Sequence, residues 1–222
     1  MVFIHPSATP AQNTLTNPPR AWYTVNEILF RKGSAMHIIA HFITITRHRH
    51  KVMQHCFRAG IPGLGLRHDL SKYSPAEFIP GARYYQGTRS PNTYERELKG
   101  YSSAWMHHKG HNRHHYEYWT DVDPKTRLYA PVKMPYPFLC EMVCDRIAAC
   151  KIYRGRDYSD SSAIEYFRRT NDARQMHPET SAALEKLLTL LAEHGEDALF
   201  SLLKRCSRQY RKNGVCELDQ PS

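Results

Sequence analysis

The most informative feature of the sequence is a set of histidines and carboxylates whose spacing lets them converge on one site. Most of the 14 histidines of the 222-residue chain lie between Arg47 and Asp145. A His-Asp dipeptide can offer an imidazole nitrogen and a carboxylate to one cation, and the second carboxylate oxygen can bridge to another. The spacing therefore predicts a metal site, with room for two ions, that is built from several helices. The candidate ligands are His48, His68, Asp69, His108, His114, His115 and Asp145.

Helical phase indicates which histidines of the first long helix point inward. At 100° per residue, His48 falls on the apolar face and His50 on the opposite face. An inward histidine taken alone is more often a hydrogen-bonded core residue, and we expect that role for His37, His41 and His55. For His48, the downstream His-Asp pair favours the role of a metal ligand.

Two histidine doublets follow, and phase separates the members of only one. His108 shares a face with apolar residues of its helix, whereas His107 lies about 100° away, so His108 is the better candidate ligand. The helix is expected to end before His111, which predicts a loop position at the surface for that residue. The next doublet lies in an irregular segment, so His114 and His115 both stay candidates, with a slight preference for His115.

Asp145 lies on the apolar face of a strongly periodic helix. A buried carboxylate without a partner is costly, and a metal ion, an ion pair with Arg146 or protonation would each remove that cost. Glu141, one turn earlier, is a candidate further ligand or a residue that orients a ligand histidine. Together with the other candidate ligands, Asp145 favours the metal site.

The elements that must position these residues are helical. Helical periodicity recurs along the chain and no segment shows convincing strand alternation, which predicts an all-α fold. Ser74 to Glu77 matches a capping box with Pro75 at the first helical position. We expect a flexible leader over residues 1–20, a single helical domain over 21–212 and a flexible tail over 213–222. The predicted helices cover residues 34–59, 66–72, 95–108, 138–153, 177–192 and 196–210, with others starting at 74 and at 161 or 162, a break at Gly195, and a long irregular loop over 111–137.

Composition narrows the class of partner. The formal net charge of +10 favours an anionic small molecule, above all one that carries phosphate, with nucleic acid as a weaker alternative. Six cysteines without a CxxC pair indicate a reducing, cytoplasmic compartment. No apolar run approaches the roughly 20 residues of a membrane span, and the first residues do not show the pattern of a secretory signal, so we expect neither secretion nor a membrane partner. The oligomeric state stays open.

The order of the candidate ligands resembles the HD-domain superfamily of metal-dependent enzymes. The resemblance lies in His48 with Val52 four residues on, in HDLSK at 68–72, and in EMVCDRIAA around Asp145. The doublets in AWMHHKGHNRHHYEYW are similar to the additional histidines of the two-metal branch. More closely, residues 36–205 resemble an uncharacterised family, domain of unknown function 5662, in HDLSKYSPAEF, YSSAWMHHKGHNRHHYEYW and EMVCDRIAACKIY.

The resemblance implies an HD-like helical bundle and a division of the ligands between two ions. Many HD phosphodiesterases carry glycine where this chain has Ser71, and the GYP extension of the cyclic-di-GMP enzymes is absent, so cyclic-di-GMP is a poor candidate substrate. By the resemblance, His48, His68, Asp69 and Asp145 would bind the first ion, and Asp69 would bridge to a second held by His108 and His114 or His115.

Three functions fit these residues. The first is a phosphohydrolase that acts on a nucleotide or related phosphate ester, with Asp69, Lys72 and Glu141 as catalytic candidates and Lys72 as the phosphate contact. The second is a di-iron oxygenase, because a histidine-rich, mixed nitrogen and oxygen ligand set suits iron as well as manganese. The candidate ions are Fe, Mn, Mg, Co and Zn, and we expect two. The third is a binding protein with a structural metal or with bases stacked on aromatic residues. The aromatic candidates are Tyr84, Tyr85, Tyr116, Tyr118 and Trp119.

Overall fold

A computed structural model describes residues 20–170 and 175–218, with side chains described from His37 onward. The chain divides into two units, Met1–Ala35 and Met36–Ser222, and every side chain discussed below lies in the second. The predicted leader lies outside the described residues except for Arg20, and so do residues 219–222 of the predicted tail. Among the described residues the only strands are two of three residues each, which confirms the all-α prediction. The helices are α1 (Arg20–Arg58), α2 (Pro62–Arg67), α3 (Pro75–Arg83), α4 (Pro91–Lys99), α5 (Ser103–His111), α6 (Tyr136–Arg154), α7 (Ser162–Arg169) and α8 (Pro178–Asn213).

The inward face of α1 is the one that helical phase predicts. His48, Val52 and His55 are buried, and His50 is exposed. The helix is longer than predicted, because it begins at Arg20 instead of residue 34. His41 is buried as expected, whereas His37 is exposed and is not a core residue.

The His-Asp pair lies between two short helices, where the sequence predicts one continuous turn. Helix α2 ends at Arg67, and a 3-10 helical turn covers Leu70–Tyr73. Asp69 takes a left-handed backbone conformation with φ of 55°. This conformation is unfavourable for most residues but tolerated by aspartate. Helical geometry is already lost at His68, and the Asp69 side chain that follows is buried.

The single helix predicted over residues 95–108 is wrong, because two helices occupy this stretch. Helix α4 ends at Gly100, whose φ of 81° needs the freedom of glycine. Helix α5 starts after Ser102, whose hydroxyl accepts a hydrogen bond from the Trp105 amide at 3.1 Å. Helix α5 also runs through His111, which is exposed but helical instead of lying in a loop.

The segment predicted as a long irregular loop contains regular structure. A 3-10 helical turn covers Tyr116–Tyr118, and β1 (Thr120–Val122) pairs antiparallel with β2 (Tyr129–Pro131). Between the strands, the Asp123 carboxylate accepts hydrogen bonds from two following backbone amides at 2.8 Å. Such hydrogen bonds within a turn stabilise a hairpin whose three-residue strands are too short for the sequence to show strand alternation.

The apolar core lies among α1, α6, α7 and α8. Helix α8 leaves helical geometry at Gly195, where φ is 76° and ψ is 177°, which confirms the predicted break. Among the described residues, no helix combines the length and apolar character that crossing a membrane requires. The fully buried leucines of α8 are Leu184, Leu187, Leu188, Leu191, Leu199 and Leu203.

Candidate metal centre

The structure brings all seven candidate ligands together in two groups. Within each group, one possible ligand atom from every residue lies within 4.8 Å of the others, and such groups could hold a metal ion. Asp69 belongs to both groups. The first group consists of His48, His68, Asp69 and Asp145, and the second consists of Asp69, His108, His114 and His115.

The two oxygens of Asp69 face different sets of imidazoles. Oδ1 lies 3.4 Å from Nε2 of both His108 and His114. Oδ2 lies 3.3 Å from Nε2 of His68 and 3.7 Å from Nε2 of His48. A carboxylate divided in this way has the geometry of a bridge between two cations.

Helices α1 and α6 bring His48 and Asp145 to the first group. His48 Nε2 lies 2.9 Å from Asp145 Oδ1, and His68 Nε2 lies 3.6 Å from the same oxygen. The prediction that Asp145 is buried among apolar side chains is wrong. Its side chain is 17% exposed, and its carboxylate lies next to these two imidazoles. Arg146 stacks over the ring of Phe167, with 5.9 Å between the guanidinium carbon and the ring centroid.

Several buried polar atoms of the centre have no hydrogen-bond partner. Burying a polar atom in this way costs about 1–3 kcal/mol, so a cluster of such atoms requires an explanation. Ionic contacts reach two of these atoms, because Lys72 Nζ lies 2.6 Å from Asp69 Oδ2 and Asp145 Oδ1 lies 2.9 Å from His48 Nε2. Cations held by the two groups would satisfy all of these atoms, so the residues fit a metal. The atoms are Nε2 of His48, His68, His114 and His115 and both carboxylate oxygens of Asp69.

Glu141 orients two of the imidazoles. Its Oε1 lies 2.9 Å from Nδ1 of His68 and 3.5 Å from Nδ1 of His114. A carboxylate accepts the ring N–H, which leaves the lone pair on Nε2 for a metal. Glu141 also forms a third group with His68 and His114 that could hold a metal ion, so the geometry fits both roles that the sequence leaves open for it, and the short contact with His68 favours the orientation of ligand histidines.

Glu77 performs the same task for the second group, and sequence reasoning missed it. Its two oxygens lie 2.7 Å from Nδ1 of His108 and 2.7 Å from Nδ1 of His107. The predicted capping box is wrong, because the Ser74 side chain makes no capping hydrogen bond, although Pro75 does begin α3. The signal available in the sequence was a glutamate that follows closely after the His-Asp pair. Its spacing from Ser74 led to its assignment to a capping box.

Further polar side chains that sequence reasoning missed hold the ligands in place. Arg49 donates to the carbonyl of His68 at 3.1 Å and to that of Leu66 at 2.5 Å, which ties the His-Asp turn to α1. Asn112 donates to Ser71 Oγ and to the His108 carbonyl, both at 2.8 Å. These contacts join distant parts of the chain, so no local pattern reveals them.

The electrostatics of the centre keep most of the imidazoles in the form that binds metal. Burial lowers the pKa of His48, His108 and His115, which favours the neutral ring. His68 differs: burial opposes its charge, but the adjacent carboxylate of Asp69 raises its pKa well above the usual range. Burial likewise opposes the charge of Asp69, yet interaction with His68 holds its pKa well below the usual range.

Fold and site together define an all-α protein with a buried histidine and carboxylate cluster that could hold a metal ion. The chain belongs to a family of unknown function, DUF5662, whose sequence model matches residues 37–190. That range contains every residue of the centre. No curated protein matches the chain, and no solved structure matches it.

Proposed function

We propose that this protein is a metal-dependent phosphohydrolase of HD type, with two metal ions, that acts on a nucleotide or related phosphate ester. The observation that carries the proposal is the position of Asp69, whose two oxygens face two separate groups of imidazoles. The order of ligands along the chain, which resembles that of the HD superfamily, supports it. The mixed nitrogen and oxygen donors suit Mn, Fe, Co or Zn better than Mg, which prefers oxygen.

Two bound cations would lower the pKa of coordinated water and offset the charge that develops on a phosphoryl oxygen. Lys72 is the residue of this chain that best fits the phosphate. Its ammonium group lies 2.6 Å from Asp69 Oδ2, and 27% of the side chain is exposed, so it borders both the centre and solvent. The carboxylates of Asp69 and Asp145 raise the Lys72 pKa against the opposing effect of burial, which keeps the ammonium charged for an anionic substrate.

The other catalytic candidates act through position. Glu141 is buried and contacts two ligand rings, so its role is to hold their orientation and not to touch the substrate. Asp69 holds the two groups at a fixed separation. The net charge of +10 agrees with an anionic substrate.

The nucleic-acid alternative gains less support from the structure. Tyr116 and Trp119 pack against the apolar core, and Tyr85 makes an edge contact with the buried ring of His41. These rings are therefore engaged in packing, which disfavours them as a platform for stacked bases.

Elemental analysis of protein purified without chelator tests the proposal, together with an optical spectrum in air and after reduction. We expect two divalent ions per chain, no oxo-bridge absorption, and metal-dependent hydrolysis in a panel of nucleotides and synthetic phosphodiesters. Two irons with an oxo-bridge band and no hydrolysis would replace the proposal with the di-iron oxygenase. Absence of metal would overturn both and favour a binding protein without a metal.

Lys72→Met tests the assignment of Lys72 as the phosphate contact. The variant should retain both ions, because Lys72 is not one of the grouped ligands, and should lose most of its turnover. A variant that hydrolyses as well as the wild-type protein would remove Lys72 from the proposed mechanism while leaving the metal centre in place.

A further inference from the structure

A second pair of histidines lies outside the buried centre on the exposed side of α5. His107 and His111 are four residues apart, and their rings stack with centroids 4.0 Å apart and an angle of 17° between the planes. The His107 side chain is 31% exposed, and His111 is exposed. Neither residue belongs to the groups that share Asp69.

Hydrogen bonds fix the tautomer of both rings. His107 Nδ1 lies 2.7 Å from the Glu77 carboxylate, and His111 Nδ1 lies 2.8 Å from the His107 carbonyl. Both partners are acceptors, so in the neutral rings Nδ1 carries the hydrogen and donates it. The lone pair of each ring is therefore on Nε2, which is the arrangement that a metal-binding histidine needs.

We propose that His107 and His111 form a third metal site, separate from the buried centre, that binds one late first-row divalent ion such as Ni²⁺, Cu²⁺ or Zn²⁺. Two histidines at positions i and i+4 lie on one face of a helix and can bind the same ion once their rings turn out of the stacked arrangement, so that both Nε2 lone pairs point at it. Imidazole nitrogens favour these ions over Mg²⁺ and Mn²⁺, and water would complete the coordination because the pair is open to solvent.

Glu77 links this outer pair to the buried centre. One of its oxygens contacts His107 and the other contacts His108, so a single carboxylate orients a ring of each site. The outer pair nevertheless requires no residue of the buried groups as a ligand. It therefore stands whether or not the buried centre is catalytic.

Calorimetric titration of the full-length chain with Ni²⁺ tests the outer site. The variants are His111→Ala, His107→Ala and the double variant, with His50→Ala and His194→Ala as controls because these histidines are exposed and lie elsewhere. We expect His111→Ala to bind one Ni²⁺ fewer than the wild-type protein. His107→Ala and the double variant should lose the same single ion, and both controls should lose none.

The result that would overturn the outer site is wild-type stoichiometry and affinity in His111→Ala, or an equal loss in the controls. Circular dichroism and the melting temperature of each variant establish that it is folded. Repeating the titration in an Asp69→Ala background separates the two sites. There the buried ions should be absent, and His111→Ala should still remove one Ni²⁺.

Discussion

Two regions of this molecule contain fully buried residues and are chemically opposite. In the apolar core, Leu187 and Leu191 of α8 are fully buried among other hydrocarbon side chains. In the candidate metal centre, His68 and Asp69 are each only 1% exposed, yet their polar atoms include several without hydrogen bonds. Burial of hydrocarbon stabilises the fold, whereas burial of charged and polar atoms opposes folding unless a partner satisfies them. The comparison indicates that the core provides stability and the centre is arranged for a ligand.

Helix α6 connects the two regions. Val143 and Ile147 are fully buried in the apolar core, while Glu141 and Asp145 contact the imidazoles of the centre. One rigid helix therefore presents an apolar face to the core and carboxylates to the centre. The free energy gained by packing the core can in this way offset the cost of removing the donor atoms from water.

The largest effect should follow from Asp69→Ala, which breaks the centre and leaves the core intact. Because Asp69 belongs to both groups of donors, we expect loss of both metal ions and of all activity. Elemental analysis after dialysis and an assay of hydrolysis measure the two losses. His50→Ala is the matched control and should retain both, and full metal content in the Asp69 variant would contradict the assigned centre.

Leu188→Ala tests the other side of the comparison. Removing a fully buried leucine side chain should lower the free energy of unfolding by about 2–5 kcal/mol, since the loss of burial and the new cavity add. Urea unfolding measures the change. Metal content per folded chain should stay at the wild-type value, and a loss of metal would show that core and centre are less separable than proposed.

The pH dependence of stability should reveal a histidine that serves the fold and not the centre. Burial lowers the pKa of His55 to about 4 from 6.5, and a hydrogen bond with the Cys144 carbonyl opposes this shift in part. The unfolded chain therefore binds the proton more readily. The stabilising effect of the neutral ring is complete above pH 6.5 and is lost as pH falls towards 4, by up to about 3 kcal/mol.

His55→Gln isolates this contribution. Urea unfolding of chelator-treated protein, at intervals between pH 7 and pH 4, compares the variant with the wild-type chain. The difference in unfolding free energy between the wild-type chain and the variant should become smaller as pH falls, because only the wild-type chain loses the stabilising effect of the neutral His55 ring. A difference that stays constant would mean that His55 does not resist protonation.

Glu77→Gln should weaken the second metal ion without removing the first. An amide cannot accept ring N–H bonds from both His107 and His108 as the carboxylate does. Loss of such an outer carboxylate typically weakens metal binding by about 10–100-fold. Competition with a graded series of chelators measures each ion. Glu97→Gln, on an exposed carboxylate, is the control, and equal weakening of both ions would contradict the division into two groups.

The smallest effect should come from a surface pair that belongs to neither region. Arg89 and Glu97 approach to 2.7 Å with both side chains substantially exposed. Arg89→Ala should change the free energy of unfolding by less than about 1 kcal/mol, because solvent screens exposed ion pairs. Thermal unfolding at low and high salt checks this, and a larger effect would assign the pair a structural role.

Much of the fold follows from local pattern. Helical phase alone predicts that His48 points inward and that His50 does not, because the 3.6-residue period acts over a few turns. Gly195 interrupts its helix as expected, since a glycine there has no side chain to oppose the left-handed backbone. Local pattern fails at Gly100, because the helical periodicity of the sequence continues past this residue although the helix itself is interrupted there.

The sequence by itself determined which residues are available to the centre: the His-Asp pair, the histidine doublets and Asp145, each on a helix or next to one. Only the tertiary structure decided how they are shared. It divides the oxygens of Asp69 between two groups, admits both His114 and His115, and makes Glu77 an orienting residue instead of a helix cap. The physical reason is the separation along the chain over which each kind of interaction acts. Helical periodicity depends on neighbours a few residues apart, whereas the ring that a carboxylate faces depends on packing between helices distant in the chain.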